Sequence, residues 1–570
     1  MSNLEKGFLQ TAIFAAKVNG LILQRMMTNL VSPTPRFSKN NGEHYSDVIS
    51  SSESELWKSS TQVISSSESE LWNADDNKLN WILTAGKIEN LRIASKKFNG
   101  LEVKANQIFS FWKHLGNPNI NQGFVVGREI REGCIVPNVG GGLCQLSNAL
   151  YDAALNAGFE IIERHKHTKV VPGSLAERDR DATVKWNYKD LRFKAPVDFK
   201  MEIEMDHSSF KVVFKTKQKF TSPESKNTHS QKPHALNDCL SCGNTSCFKH
   251  HPVKAHQPPQ EPVTAYILDE VWPEYDEFIA KNAKNNDLFI LPLKNNFAIK
   301  TLRYKWRSAP HRQTQYTQYQ GVFRALSIRF ATPKQNNVFE KLLQLDAKIA
   351  RAAAKKIPVN CTHLVVSQNL LPFLYAEGVF GGRTFDVLMT RLPFEKLHQK
   401  LDFAHSLHPE SATLNDFRVG SDWVNMENKA LNAAQKIITP HSEIAEIFKH
   451  KCIKLTWKLP AVTAVENRGE AVLFPASAVG RKGAYEFREW LRANPHKVYI
   501  AGRKLEAPDF FKNLDVHPFD GDFSKIKMVV YPTHVEHQPR LVLKAISMGI
   551  PVLTNADCGL EPGDYFQSFQ

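Results

Sequence analysis

The sequence predicts an α+β domain followed by a pair of α/β domains, each a doubly wound parallel sheet, and three observations predict it. From about 80 to 215, short strand-like runs surround one clear helix. From 218 to 262 the chain turns polar and proline-rich, as in "KQKFTSPESKNTHSQKPHA" and "HPVKAHQPPQEP", which is linker composition. After about 263 the runs "HLVVS", "FDVLMT", "KIITP", "AVLFPA", "KVYIAG", "KMVVYP" and "PVLTN" are short and apolar, many with helical segments between them. Parallel strands buried on both faces read this way.

A chain of 570 residues exceeds what one hydrophobic core can hold. The expected divisions are 1–70, 71–217, 218–262, 263–462 and 463–570. A formal charge of +15 favours phosphates, acidic polymers or an anionic membrane surface. Nucleic acid ranks below phosphorylated small molecules and envelope components, because no zinc-finger spacing or helix-turn-helix signature occurs. No uncharged stretch approaches the ~20 residues needed to span a bilayer. The protein therefore reads as cytoplasmic, with a place at the inner membrane face open to it.

Taken in order, residues 7–30 read as a helix, either packed or lying peripherally on a membrane. "VISSSESELW" stands at 48–57 and again, letter for letter, at 63–72. One copy is expected to join the following domain and the other to pad a serine-rich, partly disordered lead-in. "NLRIASKKFNGLEVKANQIFSFWKHLG" reads as short strands alternating with turn residues. Leu146–Ala157 reads as a helix closed by Gly158. "FEIIERHKH", "DATVKWNYKDLRFK" and "DFKMEIEMDHSSFKVVFK" read as successive strands.

Cys144 follows Gly140, Gly141 and Gly142 at a helix start, where unpaired amides and the helix dipole stabilise a thiolate. His165 and His167, on one face of the expected strand, supply a general base, and Asp181 or Asp190 could orient it. The same letters fit a tight turn before a buried thiol. Residues 70–195 resemble the VanW-like family, named for an accessory protein of glycopeptide-antibiotic resistance clusters. The match rests on "GKIENLRIASKKFNGLEV", "FSFWKHLGNPN", "GGGLCQLSNALYDAAL", "ERHKHT" and "RDATVKWNYKDLRF". Cys144, Glu163, His165, His167 and Asp181 fall within those stretches, and the resemblance implies a shared site without naming a reaction.

"CLSCGNTSCFKHH" sets Cys239, Cys242 and Cys247 ahead of His250 and His251. Such ligands suit a tetrahedral zinc, while an iron–sulfur cluster, a redox dithiol or three surface cysteines fit the same spacing.

Two further stretches suit a diphosphate. "VLFPASAVGRKGAYEFREWL" sets Gly480, Arg481, Lys482 and Gly483 between a strand and a helix. "KMVVYPTHVEHQPRLVLKAISMGIPVLTN" sets Glu536 in a loop between the next strand and helix. Cationic donors at the carboxyl ends of parallel strands can hold phosphate, Arg481 as a fork and Lys482 as a point charge. With "AQKIITPHSEIAEIF" and "LTWKLPAV" upstream, residues 360–560 resemble retaining glycosyltransferases of the GT-B fold. The resemblance implies a nucleotide-sugar donor, a glycan or cell-wall precursor as acceptor, and Glu536 on the donor sugar. No divalent metal is required if cationic side chains and helix ends stabilise the departing diphosphate. Lys544 stands where that family usually places a second, ribose-binding glutamate, and a lysine cannot accept a hydrogen bond. Two alternatives stay open: a Cys/His enzyme with a C-terminal half that only binds, and a non-enzymatic protein recognising cell-wall precursors.

Overall fold

The computed structural model describes residues 3–31, 34–37, 61–72, 80–131, 133–167, 169–170, 173–221, 232, 237–238, 261–294, 302–309, 313–329, 338–462, 464, 468–561, 563 and 566–568. Cys239, Cys242, Cys247 and His250 lie outside these residues, as does the first serine-rich copy at 48–57. The chain divides into two compact units. The first is Met1–Val263 with Ile357–Thr362 and Gly378–Arg383; the second is Thr264–Lys356, His363–Glu377 and Thr384–Gln570.

In the first unit, β1 (Gln62–Glu70), β2 (Leu101–Val103), β8 (Phe199–Met205) and β9 (Ser209–Thr216) form an antiparallel sheet in the order β1-β9-β8-β2. Two small sheets join it: β3 (Ile108–Ser110), β7 (Arg192–Lys194) and β6 (Glu160–Glu163), then β4 (Val126–Arg131), β5 (Cys134–Val139) and β10 (Asn237–Asp238). The core gathers Phe98, Phe109, Phe111, Phe193, Phe199, Phe210 and Phe214 around the helices Trp81–Phe98 and Cys144–Asn156. Helix Asn3–Val31 docks through Arg25, whose guanidinium grips the Glu163 carboxylate, and exposes Leu23, Met26, Met27 and Leu30. No helix among the described residues is long and apolar enough to cross a membrane.

Three expectations change here. Residues 90–98, expected as strand and turn, belong to one helix, Trp81–Phe98: it is buried nearly all round, so its sequence carries no amphipathic period. The second serine-rich copy is strand β1, so one copy does join this domain as expected, but the domain's start moves to before residue 71. Ser65 and Ser67 are buried, and Ser65 Oγ donates to Ala153 O at 2.8 Å. The strand expected to carry the histidines stops at Glu163, and residues 164–167 continue as irregular chain.

The second unit carries two parallel sheets. The first holds β11 (Val263–Ile267), β12 (Leu288–Leu291), β13 (Gln313–Tyr316), β14 (Cys361–Ser367), β15 (Thr384–Leu388), β16 (Lys436–Thr439) and β17 (Cys452–Lys454), in the order β13-β12-β11-β14-β15-β16-β17. The second holds β18 (Ala471–Phe474), β19 (Val498–Ile500), β20 (Val516–Pro518), β21 (Ile526–Tyr531), β22 (Val552–Thr554) and β23 (Phe566–Ser568), in the order β20-β19-β18-β21-β22-β23. Every pairing in the second sheet is parallel. Strand order reverses beside β11 and β14 in one sheet and beside β18 and β21 in the other. Loops leaving the carboxyl ends of such neighbours diverge and open a crevice. The doubly wound pair is the architecture expected from the sequence.

Candidate functional site

The loop after β18 carries Gly480–Gly483, and the loop after β21 carries Thr533–Pro539, so both leave the switch point of the second sheet. The Arg481 carbonyl accepts from His534 N at 3.2 Å and Val535 N at 3.1 Å, which ties one loop to the other. Gly483 has φ +76°, and a Cβ there would overlap the Pro532 carbonyl oxygen, so only glycine fits. Gly480 N donates to Glu506 Oε2 at 2.7 Å and to Thr413 Oγ1 at 3.0 Å.

Arg481 and Lys482 line a cavity of about 240 Å³, together with Asn369, Arg391, Phe417 and His537. The Arg481 guanidinium lies 4.7 Å above the Phe417 ring and makes no hydrogen bond or ion pair to any described residue. Burial pulls its pKa down, the effect of a cation held without a close counter-charge. Lys482 Nζ is 2.9 Å from Glu536 Oε2 and donates to Val535 O at 2.9 Å. Arg391 instead pairs with buried Glu427, 2.7 Å away.

Glu536 is fully engaged. Oε1 accepts from His537 N and Gln538 N, both at 2.8 Å; Oε2 accepts from Lys482 and the Tyr531 hydroxyl. Burial opposes its charge, but Lys482, the Tyr531 hydroxyl and the amide donors outweigh it and hold its pKa at about 2. The ionised carboxylate thus shapes the loop and aims Lys482. Lys544 lies elsewhere: its ammonium sits 4.8 Å from the Phe523 ring and is not part of the cavity wall. The sequence analysis did not single out His537, whose pKa burial drives well below the usual imidazole range and whose Nε2 has no partner among the described residues. It also passed over Glu506 and Arg391. Arg391 was findable by the rule that found Arg481, since it lies just past the carboxyl end of β15.

A second constellation lies in the first unit. Cys144 opens the helix Cys144–Asn156, and its thiol faces Val184 O at 3.8 Å and the His167 ring. His167 Nδ1 is 2.7 Å from Asp181 Oδ2, which also accepts from His167 N at 2.6 Å. Arg164 donates to Asp181 Oδ1 at 2.8 Å and to Asp181 O at 2.7 Å, fixing the carboxylate. Burial lowers the His167 pKa, but Asp181 and Cys144 more than reverse this and raise it to about 9. Burial pushes the Cys144 thiol up, yet His167, Val184 O and Lys185 bring it below its ordinary value. His165 turns away: its Nε2 is 2.9 Å from Glu163 Oε1. Asp190 is occupied by Ser110 Oγ at 2.6 Å and Trp112 N at 3.2 Å.

Residues 86–216 match the family model described as "VanW like protein". The "Uncharacterized protein YoaR" of Bacillus subtilis is 36% identical over 105 residues, which is 18% of this chain and 34% of that protein. The "Vancomycin B-type resistance protein VanW" of Enterococcus faecalis is 29% identical over 135 residues, 23% of this chain and 49% of that protein. The chain thus spans between a third and a half of the curated relatives it matches. Among solved structures, Arabidopsis thaliana UGT89C1 with UDP-L-rhamnose has a TM-score of 0.32 at 10% identity, covering 52% of this chain and 79% of that one. The lipopolysaccharide outer core galactosyltransferase WaaB has a TM-score of 0.30 at 12% identity, covering 54% and 83%. Likeness at these scores says nothing of activity.

Proposed function

We propose that the second unit binds a nucleotide-sugar donor in the cavity at the strand carboxyl ends and transfers its sugar to a glycan or cell-wall precursor hydroxyl. The observation that carries this reading is the Arg481 guanidinium: it lines the cavity, lacks an anionic partner, and stands beside Lys482 at the switch point of a parallel sheet. A diphosphate supplies the missing charge, and its negative charge grows as the glycosidic bond to the leaving group breaks. Two preset cations favour that change more than they favour the bound donor, which is catalysis by electrostatic preorganisation. Glu536 acts through Lys482 by holding its ammonium in place. Retention of anomeric configuration is part of this proposal, and NMR of the product's anomeric proton tests it.

The experiment is thermal denaturation of the full chain with UDP or GDP. Saturating ligand should raise the melting temperature of the wild type, since binding to the folded state alone is stabilising. Arg481→Ala should abolish the rise. A wild type that shifts with neither nucleotide, or a shift untouched by Arg481→Ala, overturns the reading.

A further inference from the structure

We propose that Cys144, His167 and Asp181 form an acyl-transfer site in the first unit, and that its acyl donor is an amide or ester carrying a carboxylate. The geometry supplies each part. Cys144 stands at the first position of a thirteen-residue helix, the end whose dipole favours a thiolate, with the Gln145 and Ser147 amides already taken by Gly142 O and Leu143 O. His167 is held by Asp181 through Nδ1 at 2.7 Å, which leaves Nε2 for the thiol. Asp181 is itself held by Arg164 and by the His167 backbone amide, so the carboxylate that orients the imidazole is fixed. A merely structural histidine needs no thiol at its second nitrogen. Nucleophile, base and orienting carboxylate within reach of one another are the signature of covalent catalysis.

The surroundings point to the substrate's charge. Lys185, beside Cys144, is paired with Glu129. Lys189 is partly buried nearby, and its ammonium makes no hydrogen bond or ion pair to a described residue. Burial and the neighbouring charges of Lys185 and Lys17 disfavour that ammonium, while Cys144 favours it. A carboxylate on the substrate would complete the pairing.

The chemistry balances with water or an amine as the only co-reactant. The Cys144 thiolate adds to the carbonyl carbon. The C–N or C–O bond breaks as the imidazolium of His167 gives its Nε2 proton to the departing atom, leaving a thioester on Cys144. Water or an acceptor amine then adds, its proton passing to His167, and the C–S bond breaks to restore thiolate and imidazolium.

The test uses the full chain, iodoacetamide from pH 5 to 9, and mass spectrometry resolved by site. At pH 6 Cys144 should react at least tenfold faster than the partly exposed Cys134, well below the thiol reference near 8.5. His167→Ala should slow Cys144 at least tenfold at pH 6, with the two rates converging near pH 9, while His165→Ala leaves the rate unchanged. p-Nitrophenyl acetate should then leave an acetyl group on Cys144. The mono-p-nitrophenyl ester of glutaric acid should acylate it faster, a preference that Lys189→Ala removes. The site is overturned if wild-type Cys144 titrates at or above the reference value, if His167→Ala does not slow it, or if the acyl group lands elsewhere. Equal rates for the two esters overturn the carboxylate assignment. The wild-type profile decides the first point even if a variant fails to fold.

Discussion

Glu536→Gln offers the sharpest test of how the cleft is held together. In the wild type, Lys482 is 16% exposed and Glu536 12% exposed, and they meet at 2.9 Å. The glutamine keeps the shape and one acceptor oxygen but leaves Lys482 without its counter-charge. The folded pKa of about 2, against 4.5 for an ordinary glutamate, corresponds to roughly 3 kcal/mol at neutral pH. Because the folded value is depressed, this stability is present above the unfolded pKa and is lost as pH falls through the folded one. Urea unfolding followed by tryptophan fluorescence should therefore show the variant less stable by about 3 kcal/mol at pH 7 and by about 1.5 kcal/mol at pH 3. A gap that stays constant over that range, or one below about 0.5 kcal/mol at pH 7, would refute the assignment of Glu536 as the buried anchor of Lys482.

Gly483→Ala should destabilise the second unit by roughly 3 kcal/mol or more, because it meets both a left-handed backbone and the Pro532 carbonyl; soluble yield and urea midpoint report it. Glu274→Gln should cost about 3 kcal/mol by the same assay. Buried Glu274 accepts both Arg540 amino groups at 2.7 Å, and that guanidinium lies 5.5 Å from the Trp272 and Trp457 rings. Lys544→Ala should leave any UDP- or GDP-dependent rise in melting temperature unchanged, since its ammonium rests on Phe523 rather than in the cavity.

The inner parallel strands were legible because they are buried on both faces, so "AVLF" and "VVY" read as apolar runs that fall in β18 and β21, while the half-exposed edge strands β13 and β20 gave no such signal. The loops that follow were legible for the same reason, since a strand's carboxyl end locates them. Helix Trp81–Phe98 was not, because its buried set includes Lys87, Asn90 and Arg92, polar groups satisfied only in the folded chain. Lys87, for example, donates to Leu71 O at 2.7 Å. Gly86 lies within this helix; a Cβ there would strike the Val126 carbonyl, so it marks where the helix touches β4. The types and order of Cys144, His167 and Asp181 were visible in the sequence. Which histidine serves was not, because His167 is placed by Arg164 and Asp181 in irregular chain rather than by strand alternation.

Strand β1 lies at the margin of its sheet, paired only with β9, and its letters occur twice. A slide of fifteen residues brings Val48–Trp57 into the berth of Val63–Trp72 with every side chain replaced by its twin. What flanks the second copy distinguishes it: the tether to the helix beginning at Trp81, and Gln62, whose amide donates to Phe220 O at 2.7 Å where the first copy is preceded by Asp47. Excising residues 48–62 should therefore leave the berth filled and the fold intact, which makes the doubling a spare rather than a part.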